Sequence, residues 1–293
     1  MASDTSETIC HTDSAHHVRA RIVSHDQVAE ATWRIRIDCP EIAAQAVPGQ
    51  FAMLRIPDRT DPLLARPLAV YDTFSDGVGI RYADFIYLVH GRFTTALSAA
   101  RPGDELTAWG PLGNGFWLPP AEHLVLVAGG IGQTALFALA RERLGKARYG
   151  LPHRDPPAAR QVTFCWGARH AGMFADVKDF RGAGCDVHLA TLDGSKGTKG
   201  TVVDLLDTRF AGGIDAATTR IACCGPEPMM AAVSRWAHAR GVPCAVSLET
   251  PMACGIGICF SCVTKVRDES GAGWDDRRTC VEGPVFDAKE IVF

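Results

Sequence analysis

Apolar and polar residues alternate one by one through the first third of the chain. In "ATWRIRID", Trp33, Ile35 and Ile37 interleave with Arg34, Arg36 and Asp38, the two-residue period of a strand with one buried face. The runs "FAMLRI", "LAVYDTF" and "GVGIRYADFIYLVH" repeat the theme, broken at Pro48-Gly49, Asp58 to Pro62 and Asp76-Gly77. Short strands of this kind across residues 17 to 118 predict an antiparallel β-barrel. One helical stretch, Thr94 to Ala100, stops at Arg101-Pro102-Gly103.

The period changes after Pro119-Pro120. Apolar strands at 123–128, 161–166, 185–191 and 219–224 then alternate with helical segments at 133–144, 172–180, 201–209 and 227–239. That alternation predicts a parallel sheet wrapped by helices. Between its first helix and second strand lies "GKARYGLPHRDPPAAR", a Pro-rich surface insertion at about 146–160. The expected fold class is therefore multidomain, β followed by α/β. Residues 1–16 are expected as a disordered tail, 17–120 as the barrel, 121–247 as the α/β domain and 248–293 as a small cysteine-bearing unit.

Composition narrows the class without naming it. At 293 residues, 47% hydrophobic and 22% charged, the chain suits a soluble protein of two or three domains. A net charge of −3 gives no reason to expect nucleic acid or an anionic membrane. The most apolar stretch, "HLVLVAGGIGQTALFALA", is interrupted by glycines and polar residues and is too weak for a membrane span. The N-terminus lacks the apolar core of a secretory signal, and His11, His16 and His17 there read as solvated rather than metal-binding. Eleven cysteines do not make a disulfide framework in a chain of this length. Cys165, Cys223 and Cys224 lie in apolar strands, where cysteine packs as a small hydrophobe. A reducing cytoplasm fits that usage.

The last forty residues carry the strongest chemical signal. Cys254, Cys259 and Cys262 stand in "CGIGICFSC", and Cys280 follows eighteen residues after Cys262. This C-x4-C-x2-C…C spacing is that of a plant-type 2Fe–2S site. Gly255 and Gly257 leave the intervening backbone free to fold tightly, with N–H groups available to sulfur. Structural zinc is the alternative, although zinc sites more often use close C-x2-C pairs at both ends.

Two glycine turns end strands of the α/β region. Gly129, Gly130 and Gly132 in "GGIGQT" could admit a pyrophosphate to a helix N-terminus, or could serve packing alone. Gly225 and Pro226 in "CCGPEPMM" form the second turn, next to Cys224, which could line a nicotinamide site or simply pack. Met229 and Met230 read as core. In the barrel, Arg66-Pro67 offers a guanidinium able to grip a diphosphate, or an ordinary strand start.

Taken in order, "PGQF", "RPLAV", "PGDEL", "GPLGNGF", "AGGIG", "CGPEPMM", "SLETPMACGIGICFSC" and "RTCVEGPVFDAKEI" resemble the electron transfer subunit of the two-subunit, NAD-linked dihydroorotate dehydrogenase. That family lies in the ferredoxin reductase superfamily. The resemblance runs from about residue 17 to 293 and leaves out the tail and the 146–160 insertion. It implies FAD on the barrel, NAD(H) as substrate on the α/β domain and a 2Fe–2S cluster in the last unit. The implied flavin contacts are Arg66, Pro67, Leu68 and Ala69, then Ile86, Tyr87 and Leu88, then Phe93 and Thr94. Ala69 stands where the family generally has serine, Leu88 replaces a common arginine, and Phe93 replaces the glycine of a phosphate turn. Phe93 cannot take glycine's positive φ cheaply, so the local turn is expected to differ.

The function so implied is electron transfer between NAD and the FMN of a separate catalytic subunit in pyrimidine biosynthesis. The resemblance also implies a heterotetramer of two copies of each chain. The chemistry asks no catalytic acid or base of the protein. Two rivals remain: an NAD(P)H reductase of the same superfamily feeding ferredoxin or a sulfur acceptor, and a non-catalytic iron–sulfur regulator.

Overall fold

Thirteen antiparallel and parallel pairings build two seven-stranded sheets and a hairpin from the alternation just described. The computed structural model describes residues 14–268, 270 and 273–293. The first sheet contains β1 (His16–Ala29), β2 (Thr32–Asp38), β3 (Phe51–Arg55), β4 (Arg66–Ala69), β5 (Asp72–Ser75), β6 (Ile80–Leu88) and β7 (Glu105–Leu112). Two short helices, α1 (Pro40–Gln45) and α2 (Arg92–Leu97), accompany them. Strand order is β4-β3-β7-β1-β2-β6-β5, and β4 also contacts β6, so the sheet curls toward a barrel. Its concave face gathers Ala20, Ile22, Ile35, Ile37, Ala83 and Phe85, the apolar half of each alternating strand.

The second sheet contains β8 (His123–Gly129), β9 (Gln161–Ala168), β10 (Asp186–Thr191), β11 (Thr198–Lys199), β12 (Thr219–Cys224) and β13 (Cys244–Ser247). Its helices are α3 (Phe137–Arg143), α4 (Val177–Ala183), α5 (Val202–Arg209) and α6 (Glu227–Ala239). Phe137, Leu139 and Phe180 cover one face, and Leu205, Leu206, Met230, Val233 and Trp236 cover the other. The order β11-β10-β9-β8-β12-β13 reverses direction between β8 and β12. In open α/β sheets, ligands bind outside the carboxyl ends of strands at such a switch point. Both glycine turns end there.

The final segment supplies β14 (Val263–Arg267), β15 (Trp274–Arg278) and β16 (Val285–Asp287). The first two pair as a hairpin, and β16 returns to the second sheet, antiparallel to β13. Asn114 fixes this return: its Nδ2 donates to the carbonyls of Val285 at 2.8 Å and Glu282 at 3.1 Å, while its Oδ1 accepts from Val285 N. The small unit is thus bound to both larger ones.

Several expectations are corrected. His16 and His17 belong to β1 rather than to a tail: His16 Nε2 lies 2.8 Å from Gln45 Nε2, and His17 stacks near Trp109. His11 lies outside the described residues. The helix expected at 133–144 divides into a 3₁₀ turn, Gly130–Ala135, and α3. The helix expected at 172–180 begins only at Val177, after Asp176 takes a left-handed conformation. Phe93, by contrast, takes no positive φ, as expected: it is helical and buried, and Gly91 before it has φ of 84°.

The 146–160 insertion is an inter-domain tie. Arg154, half-buried in it, donates to both carboxylate oxygens of Glu142 on α3, at 2.5 and 2.6 Å, and to the carbonyl of Phe116 at 2.7 Å. Tyr149 donates to Asp72 of the barrel at 2.7 Å, where Arg141 of α3 also binds. A second tie joins β2 to α4: Arg34 bonds Asp84 and reaches Asp179, which also accepts from the Tyr71 hydroxyl.

Candidate functional site

The loop from Cys254 to Cys262 turns tightly because Gly255 and Gly257 adopt φ of 74° and 83°. A Cβ on Gly255 would lie 2.6 Å from Met53 Cγ, and one on Gly257 2.6 Å from Val281 Cγ2. Only glycine satisfies both the handedness and the close approach. Trp109 Nε1 anchors the loop by donating to the carbonyl of Cys254 at 2.9 Å, and Arg278 donates to that of Gly257 at 3.2 Å.

The four sulfurs fall into two pairs. Cys262 and Cys280 are buried with Sγ atoms 3.2 Å apart. Cys254 and Cys259 lie nearer the surface, and Cys254 Sγ accepts from Ile256 N at 3.4 Å. The Ser261 hydroxyl, 3.2 Å from Cys259 Sγ, lowers that thiol to about 6, with Ser261 N–H and Cys254 assisting. Burial pushes Cys280 up to about 12, reinforced by Cys262. Among the described residues no three His, Cys, Asp or Glu side chains are grouped as ligands of a single ion. Two pairs of thiols match a centre of two irons, each needing two thiolates.

The buried pair rests directly on the barrel. Cys262 and Cys280 share an apolar cluster with Phe51 and Met53 of β3, Leu112 of β7, and Ala65. On its other edge β3 pairs with β4, placing Phe51 opposite Ala69 and Met53 opposite Pro67. The strand carrying the candidate flavin residues is therefore one strand removed from the thiols.

Arg66 is exposed, its guanidinium held by the carbonyls of Leu64 and Ala65 at 3.3 and 3.0 Å. Pro67, Leu68, Ala69 and Leu88 are half-buried, and Ile86 joins the core beneath the α/β interface. Tyr87 directs its hydroxyl to His25 Nε2 at 2.8 Å, in the barrel core beside Phe93. Thr94 Oγ1 accepts from His90 N at 2.7 Å and donates to the carbonyl of Gly91.

The two glycine turns abut. A Cβ on Gly132 would overlap the carbonyl of Cys224, one on Gly129 would overlap Met229, and one on Gly225 would lie 2.9 Å from Gly129 N. These three glycines are required by packing. Gly130 differs: its φ is 54° and a Cβ would meet open space, so its backbone is approachable. Trp166 Nε1 fastens the turn to the sheet by donating to Gly130 O at 2.9 Å. Burial pushes the Cys224 thiol up to about 12, with Glu249 adding to the rise and Ser247 opposing it.

Sequence reasoning missed Tyr71, which stacks on Phe137 across the domain junction at 4.6 Å, and Gln133, fully buried in the 3₁₀ turn. Tyr71 directly follows the "RPLAV" run, a position that signalled its place at the junction.

Comparison with known proteins adds the following. The family described as the iron-sulfur cluster binding domain of dihydroorotate dehydrogenase B matches residues 249–292. The dihydroorotate dehydrogenase B (NAD(+)) electron transfer subunit of Desulforamulus reducens is 36% identical over 275 residues, 94% of this chain and 97% of that one. Its counterpart from a Geobacillus species is 34% identical, covering 92% and 96%. A solved structure of NADH-dependent reduced ferredoxin-NADP oxidoreductase, studied for flavin-based electron bifurcation, superposes with a TM-score of 0.75 at 28% identity. It covers 93% of this chain and 89% of that one.

Proposed function

Because the chain belongs to the family of dihydroorotate dehydrogenase B electron transfer subunits, we propose that it wires NAD(H) to the flavin of a catalytic dihydroorotate dehydrogenase partner. Bound FAD supplies exchange between hydride and single-electron transfer, and a 2Fe–2S centre carries single electrons. The observation that carries the reading is the shared strand: β3 pairs with the Arg66–Ala69 strand along one edge, and its Phe51 and Met53 side chains share an apolar cluster with Cys262 and Cys280.

The chain's own residues divide the work. The exposed Arg66 guanidinium offers two parallel N–H groups to a diphosphate, the geometry that makes arginine a phosphate clamp. Pro67, Leu68, Ala69, Ile86 and Leu88 give an apolar lining, the backbone of Tyr87 and Phe93 continues it, and Thr94 closes the turn. Gly129 and Gly132 bring the first turn hard against Cys224, Gly225 and Pro226, and Gly130 leaves backbone open to the dinucleotide. Cys224, protonated by its burial, acts as a neutral wall. Cys254, Cys259, Cys262 and Cys280 ligate the irons. The protein contributes position, apolar surroundings and distance, with no acid or base of its own.

The surface around the thiols supports a partner there. Ile256, Ile258 and Phe260 stand exposed around Cys259, Phe260 to 61% and with φ of 55°, and an apolar rim of this kind favours protein contact. The assembly proposed is a heterotetramer of two copies of each chain in the cytoplasm. Among the described residues no helix is long and apolar enough to cross a membrane. The division proposed is 17–120 for FAD, 121–247 for NAD(H) and 248–293 for the cluster. Anaerobic co-purification with the catalytic subunit tests the reading: dihydroorotate-dependent NAD reduction arises only in the complex. Both cofactors present without that coupling would assign the chain to a different acceptor.

A further inference from the structure

The hydroxyl of Ser261 joins the two ends of the cysteine loop. Its Oγ accepts from Ala253 N at 3.1 Å, just before Cys254, and lies 3.2 Å from Cys259 Sγ. A serine hydroxyl has one proton to donate and two lone pairs with which to accept. The Ala253 N–H occupies a lone pair, so the proton is left for the sulfur. Ligation to a metal removes a cysteine's proton. With Cys259 bound to iron, the hydroxyl is therefore the donor of the pair.

The local backbone holds this contact in place. Phe260, between Cys259 and Ser261, takes a left-handed φ of 55°, a conformation unfavourable for a bulky residue. Arg278 lies over its ring, 5.3 Å from the centroid, and donates to the carbonyl of Gly257 in the same loop. The chain bends at Phe260, and Ser261 meets Cys259 across the bend. The four thiols are thus surrounded unequally. Cys262 and Cys280 sit in an apolar cluster with Phe51, Met53, Ala65 and Leu112. Cys254 instead accepts from Ile256 N at 3.4 Å, and Cys259 faces the Ser261 hydroxyl.

We infer that Ser261 is a positioning residue that donates a hydrogen bond to the Cys259 thiolate and raises the reduction potential of the cluster; this rests on the reading of Cys259 as an iron ligand. Reduction adds negative charge to the irons and their sulfurs. A donor on a thiolate therefore stabilises the reduced form more than the oxidised one. The same side chain pins Cys259 to the backbone preceding Cys254. A serine with a structural role alone would change how much cluster assembles without moving the potential of the clusters that form.

The test is a redox titration of the full-length chain, purified anaerobically and followed by electron paramagnetic resonance, in the native protein and in Ser261→Ala and Ser261→Thr. Ser261→Ala lowers the cluster midpoint by about 60 mV, which for one electron is a tenfold smaller ratio of reduced to oxidised cluster at a fixed solution potential. Ser261→Thr keeps the hydroxyl and stays close to the native midpoint. Equal midpoints in the native chain and Ser261→Ala overturn the proposal while leaving the cluster reading intact. A native chain that assembles no two-iron centre overturns both. Should Ser261→Ala assemble no centre, electron–nuclear double resonance of the reduced native chain decides. A proton coupled to the cluster at hydroxyl distance disappears on brief exchange into D₂O, and the absence of such a proton refutes the contact.

Discussion

Replacing Arg154 with methionine keeps length and apolar bulk but removes three hydrogen bonds, two to Glu142 and one to the carbonyl of Phe116. The Glu142 carboxylate is 2% exposed and the Arg154 side chain 10%, so water does not screen the pair. Arg143, next in sequence, directs its guanidinium to the carbonyls of Leu118 and Pro119 and does not take over. Glu142 is left as a buried, uncompensated charge, which costs about 3–5 kcal/mol. For a chain of this size that lowers the thermal midpoint by on the order of 10 °C. Scanning calorimetry of the full chain gives the number. Glu142→Leu combined with Arg154→Leu restores more than half of the loss, since removing both charges removes the desolvation penalty. A single-variant midpoint within about 2 °C of the native value would refute the view that a dry ion pair holds the insertion on α3.

Further outcomes follow from the same geometry. Cys280→Ser takes one thiolate from the buried pair, so iron per chain, measured colorimetrically after anaerobic purification, falls by more than half while FAD content is unchanged. Gly132→Ala drives a Cβ into the Cys224 carbonyl and destabilises the chain by about 1–3 kcal/mol. Gly130→Ala, with open space around it, costs only about 1 kcal/mol for its left-handed φ but weakens NAD(H) binding; denaturant titration and calorimetric binding separate the two. With its thiol raised to about 12, Cys224 remains protonated below that pH, so Cys224→Ala leaves the pH profile of NAD reduction unchanged between pH 6 and 9. A lost ionisation in the variant's profile would show the thiol titrating after all.

Much of the architecture is legible in local pattern because the pattern is local in cause. The expected strands at 123–128 and 219–224 match His123–Gly129 and Thr219–Cys224, and the expected helices at 201–209 and 227–239 match α5 and α6 closely. Apolar period and capping chemistry, such as the Thr201–Asp204 capping box, set these elements. What escaped depends on contacts distant in sequence. "CAVS" and "VFD" are too short to signal strands: β13 exists by pairing with β12 and β16, and β16 by pairing with β13 across about forty residues of chain. The two glycine turns read equally as phosphate loops or packing, and only their mutual approach assigns Gly129, Gly132 and Gly225 to packing and leaves Gly130 open. The Arg154–Glu142 and Tyr149–Asp72 contacts join segments that no periodicity connects. The cysteine spacing, by contrast, carried its chemistry openly, since a thiolate set on a glycine-bearing loop is itself the ligand geometry.

The central claim is that the Arg66–Ala69 strand and the thiols sharing β3 form one electron path. Electron paramagnetic resonance of the anaerobically purified chain, holding one FAD and two irons and mixed with NADH, tests it most directly. The account predicts the signal of a reduced 2Fe–2S centre within the turnover time. Flavin bleaching without any cluster signal would contradict it.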